Sequence, residues 1–248
     1  MLTDWIFYAV AVPAVLLTGV SKSGFSAIGG IAVPLMALAI SPRQAAAIML
    51  PILCLTDIVG MRAYYGEWSR AVLRVIIPGS LIGIALGSLT FGVFNESIVR
   101  LIIGTISVLF VASRLLLPAL ANASATPSTV RGSFFSALAG FTSFVAHAGA
   151  PPLMMYLLPL RMEKRTYIAT VNMFFFATNL IKLGPYALLG QLSAPNLWAS
   201  LALAPLIPLG VFLGYRLQRK VNEEWFFRIA QAGLLLTGIH LIWQGLTS

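Results

Sequence analysis

Lys22 lies in the stretch Thr18–Pro34, T-G-V-S-K-S-G-F-S-A-I-G-G-I-A-V-P, with Ser21, Ser23 and Gly24 around it. If a helix begins just after it, free backbone N–H groups and the positive end of the helix dipole converge on the ammonium. That combination suits the oxygens of a small anion. The plain alternative is a lysine whose stem runs along apolar surface and whose head snorkels to water. A second stretch echoes the first: G-F-T-S-F-V-A-H-A-G-A-P-P, from Gly140 to Pro152. Aligning Gly140 with Gly19 puts Ser143 near Lys22 and leaves His147 as the one ionisable residue there, with Gly149 just beyond. A histidine titrates near neutrality, so it can donate to an anion or relay a proton; its plain alternative is a structural bond to a carbonyl.

Asp57, in I-L-C-L-T-D-I-V-G, is the carboxylate set deepest in an apolar run. Such a group holds a proton or cation, or neutralises a nearby base; the alternative is an interfacial aspartate. Its rough counterpart is Asn179. Of the polar residues Thr170, Asn172, Thr178 and Asn179, Asn172 is the preferred ligand contact, against an ordinary interhelical bond. Lys182 is expected to snorkel to the outer end of its segment. The candidate substrate contacts are therefore Ser21, Lys22, Ser23, Gly24, Ser143, His147, Gly149 and Asn172, and the candidates for coupling or charge pairing are Asp57 and His147. No metal, cofactor or catalytic residue is expected, since H-E-x-x-H, P-loop and cysteine–histidine spacings are absent from the sequence. The one enzymatic alternative is a serine hydrolase. Gly24-Phe25-Ser26-Ala27 starts like a nucleophile turn, with His147 or His240 as base, but Ile28 replaces the second glycine.

The elements that position these groups must be membrane helices. Of 248 residues, 59% are hydrophobic and 9% charged, and mean hydropathy is +0.92. A soluble domain carries about 25% charged residues. The net charge of +9 does not point to nucleic acid, because the basic residues sit in short loops between apolar runs. The single cysteine, Cys54, reads as a buried small hydrophobe. The first run follows Asp4 without a basic leader and reads as a retained segment.

Ten apolar segments are expected, at residues 5–21, 24–40, 44–64, 70–93, 97–118, 131–147, 149–160, 166–188, 195–217 and 225–246. A spanning helix takes about 20 residues. The pairs 5–40 and 131–160 are short for two spans each, and read as re-entrant hairpins or tilted spans. Twelve basic residues fall in the loops around Arg62–Arg74, Arg114–Arg131, Arg161–Arg165 and Arg216–Arg228. The positive-inside rule puts those loops in the cytoplasm and both termini on the outer side.

A polar linker at 119–130 separates a first repeat, 1–118, from a second, 131–248. Pro78–Gly87 matches Pro205–Gly214, and Asn95-Glu96 matches Asn222-Glu223 at the same offset. An odd number of crossings per half inverts one half relative to the other. The expected fold is thus an all-α polytopic membrane protein. It is an inverted repeat of two five-segment halves, with broken or re-entrant helices meeting near the midplane, as in many secondary transporters. The glycines at four-residue spacing in 79–87 and 210–214 read as close packing, within the chain or at a homodimer interface.

The T-G-x-x-x-x-G-x-x-x-x-G-G-x-x-x-P pattern at the start resembles the sulfite exporter TauE/SafE family. So do the second-half H-A-G-x-P-P, T-Y-I-A-T-V-N at Thr166–Asn172 and P-x-x-x-x-G-x-x-x-G at Pro205–Gly214. The resemblance covers nearly the whole chain. It implies movement of a small anion such as sulfite or sulfoacetate across the bacterial inner membrane. The partners implied are that anion and the surrounding lipid. An anion channel on the same fold is the alternative.

Overall fold

A chain this apolar can bury its backbone in hydrocarbon only by pairing every N–H and C=O internally, which a helix does within one segment. The computed structural model describes residues 5–22, 26–62, 64–90, 96–116, 127–220 and 223–247, and those residues form helices and connecting turns, with no strand among them. The helices are α1 (Trp5–Ser21), α2 (Ser26–Gly29), α3 (Ala32–Met36), α4 (Pro42–Arg62), α5 (Arg70–Thr90) and α6 (Glu96–Leu116). After the linker come α7 (Thr129–Ala146), α8 (Ala150–Leu157), α9 (Lys164–Leu188), α10 (Ala194–Leu203), α11 (Leu206–Lys220) and α12 (Glu223–Thr247). A 3-10 turn at Leu158–Leu160 follows α8.

Two expected segments are not continuous helices. Residues 24–40 contain the four-residue α2 and the five-residue α3, and 149–160 contains the eight-residue α8. None is long enough to cross a bilayer alone. The expected span 195–217 is bent by 44° between α10 and α11, where Pro205 removes a backbone donor. Among the described residues α4 and α5 pass as spanning helices on length and hydropathy, as does the α10–α11 pair taken together.

Large apolar side chains face outward, including Leu89 at 76% exposure and Leu188 at 90%. A soluble surface does not tolerate such a coat, whereas lipid does. Trp5, Trp198 and Trp243 are exposed near helix ends, where indoles anchor to the interface.

Most packing joins residues from opposite sides of the linker. Helix α1 lies along α11, α5 along α7, α6 along α12, and α4 crosses α9. The α5 glycines expected to mediate packing are used within the chain. A Cβ on Gly79 or Gly83 would run into the α7 backbone at Ser133 or Ala137, so this stripe is covered. At the α1–α11 crossing a Cβ on Gly19 would stand 2.7 Å from the Gly210 backbone. Overpacking a contact of that kind costs about 1–3 kcal/mol. Gly19→Ala should therefore lower the thermal unfolding midpoint of the solubilised protein. Gly184→Ala, where a Cβ meets nothing within 4 Å, is the matched control and should leave it unchanged or slightly raised.

Candidate functional site

Helices α4 and α9 pack together, and residues of both helix breaks meet them around one cavity. Helix α1 ends at Lys22, whose N–H donates back to the Gly19 carbonyl at 3.2 Å. The Lys22 side chain is 7% exposed, and its Nζ lies 2.5 Å from Asp57 Oδ1, on a carboxylate with no exposed surface. Lys22 therefore does not snorkel. Its stem fits because Gly60, one turn beyond Asp57, has no side chain: a Cβ there would sit 2.9 Å from Lys22 Cβ. The ammonium also lies 5.4 Å from the centre of the Phe175 ring, within cation–π range. Asp57 Oδ2 accepts from Asn179 Nδ2 at 2.7 Å, so the two residues read as counterparts in the halves bond each other. Asn172 Nδ2 donates to the Lys22 carbonyl at 3.2 Å, tying α9 to the first break.

The second break is built differently. Helix α7 stops because His147 turns left-handed, with φ of 53°. Its N–H returns to the Ser143 carbonyl at 3.0 Å, and that of Ala148 to Thr142 at 3.2 Å. A left-handed residue with a Cβ costs about 1–2 kcal/mol, and the imidazole is held at both ends. Nε2 lies 2.8 Å from the Ala46 carbonyl, and Nδ1 lies 2.7 Å from Lys182 Nζ. A carbonyl only accepts and an ammonium only donates, so the ring is neutral with its hydrogen on Nε2. Gly149 does not line the cavity described below. It lets the chain double back, since a Cβ there would lie 2.8 Å from Ser143 Cβ.

Lys182 departs from expectation. It has no exposed surface and does not snorkel outward. Its ammonium donates to Ser143 O and Ser143 Oγ, both at 3.0 Å, as well as to His147. Three hydrogens meet three acceptors, which is what allows the cation to stay buried. Each break thus has a buried lysine: Lys22 within the first, and Lys182 reaching the second from α9. A periodic signal was present in the sequence. Asn172, Asn179, Lys182 and Tyr186 recur at intervals of seven, three and four, which puts them on one helical face. Gly60, which makes room for Lys22, gave no such signal.

Between the breaks lies a cavity of about 30 Å³, lined by Ser21, Lys22, Ser143, His147, Asn172 and Asn179, with Leu53, Val171 and Phe175 as apolar wall. Ser21 donates its hydroxyl to Thr18 O at 2.7 Å, so its own helix occupies that hydrogen. Ser23 and Gly24 lie outside the described residues, as does the side chain of Ser26. His240 is exposed on α12 and does not line the cavity. A second cavity of about 290 Å³ also touches Lys22, and runs past Gly60 to Tyr64, Phe212 and Tyr215. Lys22 therefore stands between the small central cavity and a wider vestibule.

The vestibule leads toward the loop between α4 and α5, which is fastened to α9. Arg165 makes a two-pronged pair with Glu67, at 2.6 and 2.7 Å, and Ser69 N–H donates to Thr170 Oγ1 at 2.9 Å. The guanidinium hydrogen bonds hold the exposed Glu67 carboxyl below the usual carboxylate range. Two loops assigned by charge to the same side are thus in contact.

No curated protein and no solved structure matches this chain. A protein-family model described as sulfite exporter TauE/SafE matches residues 11–241. That span takes in both helix breaks, the central α4–α9 crossing and the cavity between them. The chain therefore belongs to the sulfite exporter TauE/SafE family, a family of multi-pass membrane transporters of sulfite or related anions rather than of enzymes.

Proposed function

We propose that the protein is a secondary transporter that exports a small sulfur-containing anion, such as sulfite, sulfoacetate or a related organosulfonate, across the bacterial inner membrane. The observation that carries this reading is the cavity at which both helix breaks converge on the buried side chains Lys22, Ser143, His147 and Asn172. Irregular backbone at membrane depth is tolerated only inside protein or beside a wet cavity, and broken helices there are the usual substrate sites of transporters. The negative-inside potential favours export of an anion by about 2.3 kcal/mol per charge at 100 mV. Outward flux therefore requires no coupling ion.

The mechanism we propose is alternating access between two inverted five-segment halves, with both termini on the outer side. The exchange of partners across the linker supports it: α1 packs on α11 as α7 packs on α5, and α4 and α6 meet their counterparts α9 and α12. The vestibule beside Lys22 is then the cytoplasmic approach, and the Glu67–Arg165 pair lies at its loop side.

The test is charge movement in proteoliposomes on a solid-supported membrane, with sulfite, sulfoacetate, taurine, thiosulfate and acetate applied to the wild type and to Lys22→Ala. The expected result is a current for sulfite or sulfonate anions that is lost in the variant. Intact currents in Lys22→Ala would remove Lys22 from the site. Currents for acetate alone would overturn the sulfur substrate.

A further inference from the structure

The fixed charges around the central cavity do not cancel, and one of its polar atoms is left over. With Lys22 and Lys182 as ammoniums and Asp57 as a carboxylate, the buried groups in and just behind the cavity wall carry one net positive charge. Asn179 lines the cavity and is 2% exposed. Its amide orientation is forced. Asp57 Oδ2 can only accept, so the group facing it at 2.7 Å is the NH2. The amide carbonyl Oδ1 is then turned away from Asp57 and meets no donor among the described residues. The donors on the same wall have hydrogens to spare. Asn172 Nδ2 uses one of its two on the Lys22 carbonyl, and the Lys22 ammonium has more hydrogens than its contact with Asp57 consumes.

We infer that this site takes a monoanion that carries one hydrogen-bond donor of its own. The oxygens of such a ligand accept from Lys22 and Asn172, and its O–H or N–H donates to Asn179 Oδ1. The inference rests on the reading of the cavity as the anion site. A dianion would overshoot the single positive charge and leave a net negative charge buried, which is expensive away from water. A monoanion without a donor would close the site over an unpaired amide carbonyl, and a buried acceptor without a partner is penalised more heavily than a missing contact. Hydrogen sulfite satisfies both conditions and the sulfite and sulfoacetate dianions satisfy neither, so the proposed substrates narrow to hydrogen sulfite and monoanionic organosulfonates that carry a donor.

Three tetrahedral probes of nearly equal size separate the two conditions. Sulfamate is a monoanion with N–H donors, methanesulfonate is a monoanion with a methyl group in their place, and sulfate is a dianion. Isothermal titration of the full-length protein in detergent is expected to show sulfamate binding about 10–100-fold more tightly than either of the others. In Asn179→Leu the advantage of sulfamate over methanesulfonate should shrink to about threefold or less. Both probes are compared within one variant, so a general loss of fold moves them together, and the wild-type ranking is decisive even if the variant fails to fold. Equal binding of sulfamate and methanesulfonate, or tightest binding of sulfate, would overturn the inference while leaving an anion site. A preference that persists undiminished in a folded Asn179→Leu would overturn the assignment to Asn179. Folded protein that binds none of the three, nor hydrogen sulfite, would overturn the anion-site reading itself.

Discussion

Asp57→Ala should lower stability by about 3–5 kcal/mol, because it strands the Lys22 ammonium in the interior without its counter-charge. Asp57 has no exposed surface and Lys22 only 7%, so water in the two adjoining cavities replaces the lost counter-charge only in part. The double variant Lys22→Met with Asp57→Leu behaves differently. Apolar replacements for a buried ion pair are commonly neutral or stabilising, since the desolvation of both charges is avoided. Its unfolding midpoint should return to or above that of the wild type. Anion current, however, should be absent, because the cation at the mouth of the central cavity is gone. Thermal unfolding in detergent and current in proteoliposomes, measured on the same preparations, separate the two roles. A double variant that folds and carries full current would make the pair purely structural.

Lys182→Met carries the second large effect. The methionine keeps much of the stem and removes the ammonium, so Ser143 Oγ and His147 Nδ1 both lose their donor. Hydrogen bonds involving a charged partner contribute about 1.5–3 kcal/mol each. The left-handed turn at His147 loses one of its two ring anchors and leans on the Ala46 contact alone. Anion current should fall by at least about tenfold, the equivalent of one such bond. Lys182→Arg should not rescue it, because the slot is fully enclosed and a planar guanidinium is a different shape from an ammonium. Measured flux at saturating anion decides the matter. Undiminished current in a folded Lys182→Met would reduce Lys182 to packing. The two substitutions also report on different breaks, so loss of current in both would mean that the transport cycle needs each of them.

Most helix limits could be read from hydropathy alone. The reading 5–21 coincides with α1, and 70–93 and 225–246 fall within a few residues of α5 and α12. Apolar runs of that length have one economical backbone solution in lipid, so a local property suffices. At 24–40 hydropathy marks an apolar run but not its interruption at Gly29-Gly30, which divides it into α2 and α3. Hydropathy records that a stretch is apolar, not whether its helix continues. The breaks themselves were legible, because glycine, serine and an ionisable residue inside an apolar run carry a cost that must be met somewhere.

What the linear chain does not contain is the identity of the partners. Lys22 and Asp57 stand 35 positions apart, and Asp57 and Asn179 stand 122 apart. A charge deep in an apolar run announces that a partner exists; only the crossing of α4 over α9 chose which one. Lys182 shows the difference most plainly. Near the end of its segment, a long cationic side chain reads as snorkelling outward, since a flexible stem can reach water. The fold instead presents Ser143 and His147 to it, three acceptors within 3.0 Å, and inward becomes the better direction. Composition and periodicity thus determine that this chain is a bundle of membrane helices with polar interruptions near Lys22 and His147. The chemistry at those interruptions is decided by tertiary packing, because an ionisable group in hydrocarbon takes its character from the few atoms that replace its water.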